Sequence, residues 1–133
     1  MIDYENQIFT MIRDAIIAEY PSCKIEGILN LNPPEFPCVY IEEISNTSLD
    51  STITSTNNEN HASISYEINV WSAKAAGRKA EAKAILSIAD NVLVQYNFSR
   101  ITRNLVQIDD GTKYRIVARY SAVIDKNGNI YRR

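Results

Sequence analysis

Few residues of this chain could perform catalysis or hold a metal ion. His61 is its one histidine, and Cys23 and Cys38 are its cysteines. A catalytic triad needs a histidine beside a nucleophile and an orienting group, and a structural zinc site needs four cysteine or histidine ligands. Glu42 and Glu43 are neighbours in a predicted strand, where successive side chains point to opposite faces, so they do not form an acid-base pair. We therefore expect no enzymatic activity, no cofactor and no metal site.

The composition is typical of one soluble globular domain. The chain has 133 residues, of which 45% are hydrophobic and 23% are charged, and this size supports a single core. No apolar run approaches the roughly 20 residues that a bilayer-spanning helix needs. The first residues lack the basic and apolar regions of a secretory signal. We expect one domain over residues 1–133, synthesis in the cytoplasm, no membrane partner and unpaired cysteines that serve in packing.

Charge is distributed unevenly along the chain. Residues 1–60 hold ten acidic and two basic residues, whereas residues 61–133 hold twelve basic and six acidic residues. The asymmetry has three explanations: an anionic partner, neutralisation between the two halves of one fold, or contact between neighbouring copies. Nucleic acid is disfavoured, because stacking aromatic residues are not interleaved with the basic ones and the net charge is negative. We expect no sequence-specific nucleic-acid binding.

Four basic residues crowd the predicted beginning of the second helix. Lys74, Arg78, Lys79 and Lys83 lie where the helix dipole disfavours cations. They form either a solvated helix face or a surface that docks onto acidic residues of a partner or of a neighbouring copy. The acidic region 35–50 is the candidate counterpart.

Periodicity predicts two helices and five strands. Apolar residues repeat at helical spacing within 4–19 and 73–96. The predicted strands are 22–29, 38–44, 62–71, 98–108 and 113–124. The order α-β-β-β-α-β-β favours an α+β two-layer sandwich, with both helices on one face of a mostly antiparallel sheet of about five strands. Residues 126–133 are predicted to form a basic C-terminal tail.

A long polar stretch separates the second and third predicted strands. Within residues 45–60, twelve of sixteen residues are serine, threonine or asparagine, and the apolar ones are Leu49 and Ile53. The stretch is either a polar loop or a protruding hairpin arm, and we favour the arm because charge and proline are scarce. In such an arm, Leu49 would pair with Ile68 and Ile53 with Ile64.

Three blocks of the sequence resemble small virion proteins of long-tailed bacteriophages. The blocks are PPEFPCVYIEEISNT, NENHASISYEINVWSAKAAGRKAEAKAIL and YRIVARYSAVID. They are similar to the family of tail terminator and tail-to-head joining proteins, which are also described as minor capsid or neck proteins. The resemblance implies the α+β sandwich and a non-catalytic virion protein. It also implies a closed ring, commonly six-fold, that stops tube growth at the head-proximal end of a tail.

The partners implied by the resemblance are other copies of the chain, the tail tube protein and the head-tail connector protein. A ring contact is heterologous, so each copy presents different surfaces to its two neighbours, and opposite charges suit that arrangement. We predict that acidic residues near the polar stretch face the basic helix start of the next copy. The residues expected in interfaces are Glu42, Glu43, Leu49, Asp50, Ile53, Lys74, Arg78, Lys79, Lys83, Arg132 and Arg133. The alternative is a small cytoplasmic domain that binds a ligand or partner without catalysis.

Overall fold

The computed structural model describes residues 1–49, 60–106 and 111–132. These residues form two helices and six strands: α1 (Glu5–Glu19), β1 (Lys24–Glu26), β2 (Cys38–Ser48), β3 (His61–Ser72), α2 (Arg78–Gln95), β4 (Ser99–Val106), β5 (Tyr114–Asp125) and β6 (Ile130–Tyr131). The predicted α+β class and the predicted order of elements are confirmed, and β6 is an additional short strand. Within the described residues, neither helix combines the length and apolar character that crossing a bilayer requires.

The strands form one sheet in the order β1-β2-β3-β5-β4, and β6 pairs with β5. Only β1 and β2 run parallel, and the other described strand pairs are antiparallel. The central strands β3 and β5 pair along their whole length, because both alternate cleanly between apolar and polar residues. One edge of the sheet is therefore formed by β1 and by the part of β2 that β1 does not pair with. The other edge is β4.

The hydrophobic core lies between the helices and one face of the sheet. On α1, Ile8, Ile12 and Ile16 are one helical turn apart and are buried. On the sheet, Ile68 of β3 pairs with Ala118 of β5, and both are fully buried. Burying one isoleucine side chain contributes about 1.5–3 kcal/mol. We call this face the helix side of the sheet, and the other the open face.

Neither described helix covers the open face, which carries a hydrogen-bonded row of polar residues. Arg119 Nε donates to Glu67 Oε2 at 3.0 Å, and Asn69 Nδ2 donates to Glu67 Oε1 at 3.0 Å. Arg115 donates to Asn69 Oδ1 from Nε at 3.0 Å and from Nη2 at 2.6 Å. The Arg115 guanidinium lies 4.9 Å from the Trp71 ring centroid, within cation-π distance. The four polar side chains of this row are thus bonded to one another.

β2 is longer than predicted, and its pairing corrects the predicted arm register. The strand continues beyond residue 44 through polar residues, and its register against β3 shifts once, after Glu43. Ile68 pairs with Ile41 and not with Leu49, and Ile64 pairs with Asn46, so the predicted register is wrong. The physical reason is that a bulge and a polar extension on a half-solvated strand have no apolar alternation to mark them.

The segment predicted as a basic tail contains β6, and a turn led by Asp125 brings β6 back to β5. Asp125 Oδ1 accepts hydrogen bonds from Asn127 N at 2.8 Å and Asn129 N at 2.9 Å. Its Oδ2 accepts from Asn129 Nδ2 at 3.0 Å and Tyr131 Oη at 3.1 Å. Burial raises the pKa of Asp125, but these hydrogen bonds outweigh that effect and lower the pKa below its ordinary value.

Candidate functional site

The two predicted acidic residues of β2 have partners inside the molecule, on opposite faces of the strand. Glu42 Oε1 accepts a hydrogen bond from Leu29 N at 3.2 Å. Glu43 accepts from Tyr66 Oη at 3.2 Å and from Asn46 Nδ2 at 3.4 Å. Burial raises the pKa of Glu43, and these two bonds partly offset the rise. Both carboxylates therefore hold neighbouring segments of their own chain in place.

The basic residues predicted at the start of the second helix differ in their surroundings. Arg78 Nη2 donates to Gly111 O at 2.8 Å, so this side chain ties the first turn of α2 to the segment before β5. Lys74 and Lys79 are exposed, and Lys83 is half-buried. Lys74 precedes the helix, because α2 begins at Arg78 and not at residue 73 as predicted.

The remaining predicted interface residues lie at chain segments that the structure describes only in part. The Leu49 backbone N–H donates to His61 O at 3.1 Å, and the Leu49 side chain is half-buried. Arg132 is exposed. Asp50, Ile53 and Arg133 lie outside the described residues. The interface predicted from the sequence therefore stays a prediction.

The two cysteines of the chain are buried, and its histidine packs beside a tyrosine ring. Cys23 and Cys38 are buried free cysteines, and burial is the main cause that raises the pKa of the first thiol to about 12 and of the second to about 11. At neutral pH both are protonated, and a thiol in that state is a poor nucleophile. The His61 ring lies beside that of Tyr131, with 6.0 Å between ring centroids.

The oppositely charged halves of the chain occupy opposite edges of the sheet. Residues 1–49 supply α1, β1 and β2 on one side, and residues from 73 onward supply α2, β4 and β5 on the other. The ion pairs between described residues are Arg13–Asp14, Lys24–Glu35, Arg100–Asp90 and Arg119–Glu67. Each of these pairs lies within one half, so no ion pair between described residues neutralises one half with the other.

A groove opens at the acidic edge, between the beginning of α1 and the end of β1. Its volume is about 620 Å³, and its lining residues are Asp3, Glu5, Asn6, Phe9, Glu26, Gly27, Ile28 and Ile41. The carboxylates of Asp3, Glu5 and Glu43 lie within 4.8 Å of one another. Asp3 Oδ1 accepts from Glu5 N at 3.2 Å and Glu5 Oε2 accepts from Glu43 N at 2.9 Å, so protein donors already stabilise them. This groove, which we call the acidic groove, therefore combines a cluster of carboxylates with apolar lining residues.

The opposite edge of the sheet is β4, which is exposed along most of its length and pairs with β5 and with no other described strand. Two of its apolar side chains reach solvent, with Ile101 57% exposed and Leu105 49% exposed. Arg100 Nη1 lies 3.3 Å from Asp90 Oδ1 on α2. Arg103 is exposed and has no hydrogen bond or ion pair with another described residue. The outer edge of β4, which pairs with no other described strand, therefore presents apolar side chains and a cation without an ion-pair partner among the described residues.

Sequence reasoning missed the acidic groove and did not identify β4 as an exposed edge of the sheet. The acidic groove combines residues from the chain start, from the end of β1 and from β2, which the sequence does not place together. For the β4 edge a signal existed, since SRITRNLV interleaves arginines with apolar residues. An exposed edge strand uses charged residues in this way to discourage unwanted pairing.

No protein-family model matches this chain, and no curated protein sequence matches it. Twenty-nine chains of solved structures are similar to it. One belongs to a structure described as the virion of a native gene transfer agent (GTA) particle, and the similarity covers 87% of this chain and 92% of that chain. The TM-score is 0.58 and the sequence identity is 14%. At this identity the two chains share a fold.

Proposed function

We propose that this protein is a non-catalytic structural component of a phage-like virion, present in the assembled particle. The observation that carries the proposal is the similarity to the GTA virion chain, because it covers nearly all of both chains. The resemblance of three sequence blocks to tail terminator and joining proteins supports the same role independently.

Within the virion, we propose that the protein forms a ring at the head-proximal end of the tail, stops growth of the tube and docks to the head connector. The charge distribution supports a ring, because a heterologous contact requires two different and complementary surfaces on each copy. An acidic edge and a basic edge meet this requirement, and their attraction favours the correct register between neighbours. Six copies, the tail tube protein and the connector protein are the proposed partners.

The proposed function is tested by electron microscopy of the purified protein, alone and mixed with tail tubes of the same phage. We expect rings of uniform diameter and, on tubes, additional density at one end only. Raising the salt concentration should weaken rings of free protein, because the complementary edges are exposed to solvent and are screened. Particles that remain monomeric and leave tube ends bare would contradict the proposal.

The second candidate function is a small domain that binds a partner without catalysis. The open face of the sheet favours it, since this face carries a shallow groove of about 710 Å³ lined by polar residues and by four apolar ones, Ile44, Ile101, Val106 and Val117. A partner on that face would contact Arg119 and Arg115. Replacing Val117 by Lys would then abolish binding of the partner, whereas it would leave a ring that uses the sheet edges intact.

A further inference from the structure

We propose that the ring contact consists of the β4 edge of one copy seated against the acidic groove of the next. In this contact, Arg103 of one copy reaches the acidic groove of its neighbour. Leu105 reaches the row of apolar residues beside that groove. The inference rests on the proposed function, because it requires that copies of this chain assemble head to tail. It differs from the contact predicted from the sequence, in which the start of α2 supplied the basic residues.

The two β4 side chains point to the same side of the sheet as the groove. Arg103 pairs with Ala118 and Leu105 pairs with Ile116, and both partners are buried beneath the helices. Residues that are paired directly across neighbouring strands share a face. Arg103 and Leu105 therefore lie on the helix side, which is also the side of the groove-lining Phe9.

The strand registers place the basic and acidic edges at the same height. Arg103 pairs with Ala118, Ala118 with Ile68, and Ile68 with Ile41, which lines the groove. Neighbours related by rotation about an axis along the strands keep equal rows at equal heights. Arg103 of one copy then stands level with the groove of the next, without any shift along the strands.

The row of paired residues that contains Leu105 reaches the same edge of the sheet. On β2 it lies two residues before the row that contains Arg103. Leu105 pairs with Ile116, Ile116 with Val70, Val70 with Val39, and Val39 with Ile25 of β1. In a neighbour at equal height, Leu105 therefore approaches the apolar row that ends at β1. The long exposed edge of β4 meets an edge where β1 pairs only with the first three residues of β2.

The chemistry of the two edges is complementary. Arg103 is an exposed cation without an ion pair to a described residue, and Asp3 in the groove is an exposed anion that accepts a hydrogen bond from the Glu5 backbone N–H. Ile28 of the groove is 82% exposed and Leu105 is 49% exposed, so each has apolar surface to bury. Pairing these edges also covers the unpaired backbone of β4, which would otherwise favour aggregation.

Cysteine cross-linking tests the contact directly. The variant with both Ile28→Cys and Leu105→Cys, treated with a short bismaleimide, should give a ladder of covalent multimers in denaturing gels. The native Cys23 and Cys38 do not interfere, because both are buried. Each single-cysteine variant is a matched control and should give no multimers, since a head-to-tail contact never brings a residue next to itself.

Charge exchange provides a second, independent test. Arg103→Glu alone and Asp3→Arg alone should each raise the concentration for half-assembly by about tenfold or more, because like charges then meet at the contact. The double variant should restore assembly, since the attraction is re-established with opposite polarity. Lys79→Glu is the control, as this exposed residue lies outside the proposed contact, and it should assemble like the wild type.

The outcomes separate the contact from the proposed function. Rings that form normally without a cross-linked ladder, or that depend on Lys79 and not on Arg103, would overturn this contact and leave the virion ring standing. Protein that neither assembles nor cross-links, and that leaves tail tubes bare, would overturn both. A ladder together with rescue by the double charge exchange would establish the contact.

Discussion

The hydrogen bond between Tyr66 and Glu43 gives a stability prediction that depends on the acidic groove. Tyr66 is fully buried, and its ring makes an edge-to-face contact with Phe98 at 5.7 Å between centroids. Its hydroxyl donates to Glu43 Oε1 at 3.2 Å, and the Glu43 backbone N–H in turn donates to Glu5 at the beginning of α1. Tyr66→Phe keeps the ring contact and removes only the hydroxyl donor.

The expected cost follows from the geometry of this bond. A hydrogen bond to a charged group contributes about 1.5–3 kcal/mol. The 3.2 Å separation exceeds the usual range for an O–H donor, and Glu43 retains Asn46 Nδ2 at 3.4 Å. We therefore expect the variant to lose about 1.5 kcal/mol of unfolding free energy at pH 7, the lower end of that range.

The loss should depend on pH in a defined direction. The folded-state pKa of Glu43 is raised above its ordinary value of 4.5, mainly by burial, so its contribution to stability is full at low pH and is lost as pH rises through the folded pKa. Removing the Tyr66 donor favours the neutral carboxyl further. The deficit of Tyr66→Phe should therefore be largest at neutral pH and should shrink on acidification through the raised pKa of Glu43.

Urea unfolding followed by the fluorescence of Trp71, the single tryptophan, measures both effects. In a Glu43→Gln background the cost of Tyr66→Phe should fall to about 1 kcal/mol or less, because a neutral acceptor remains. Tyr114→Phe is a matched control at a half-buried tyrosine, and it should change stability by less than about 0.5 kcal/mol. An unchanged midpoint for Tyr66→Phe, or a deficit that grows on acidification, would refute the reasoning.

Two further predictions concern the turn that brings β6 back to the sheet. Asp125→Ala should speed amide hydrogen exchange in β6 while core amides keep their protection, because four hydrogen bonds lose their acceptor. The folded-state pKa of Asp125 is lowered, so the same fraying should develop in the wild type only as pH falls below 3.8 and through that pKa; exchange that is unaffected by the substitution would contradict this role. Gly128→Ala should destabilise by about 1–3 kcal/mol in urea unfolding, since a left-handed residue gains a side chain. Gly128 has a φ of 86°, and a Cβ atom there would lie 3.0 Å from Tyr4 Cε1. Gly111→Ala is the control, because a Cβ atom there would have open space around it. Equal stability of the two variants would contradict the predicted backbone strain at position 128.

Elements that bury one face could be predicted from the sequence. The spacing of Ile8, Ile12 and Ile16 predicted α1, and the alternation within β3 and β5 predicted two long antiparallel strands. Each pattern follows from the contrast between a buried and a solvated side, and this contrast is local in the sequence. The two-layer architecture followed, because two amphipathic helices need one common sheet face.

Features set by pairing partners could not be predicted in this way. Lys24–Glu26 is too short for its alternation to show that it runs parallel to β2, and the polar residues beyond Ile44 resemble a loop because they face solvent. The charge asymmetry was evident in the sequence, but its separation onto opposite edges depends on the strand order. For the same reason, the matching of Arg103 with the row of Ile41 required three successive strand registers.

The mass of the wild-type assembly is the most direct test of the proposed ring. Light scattering coupled to size-exclusion chromatography, over a range of protein and salt concentrations, measures the mass of each species in solution. We predict one dominant closed species, six times the mass of the 15.1 kDa chain, which dissociates as salt increases. A 15.1 kDa monomer at every concentration, or a continuous distribution of open chains without closure, would contradict it.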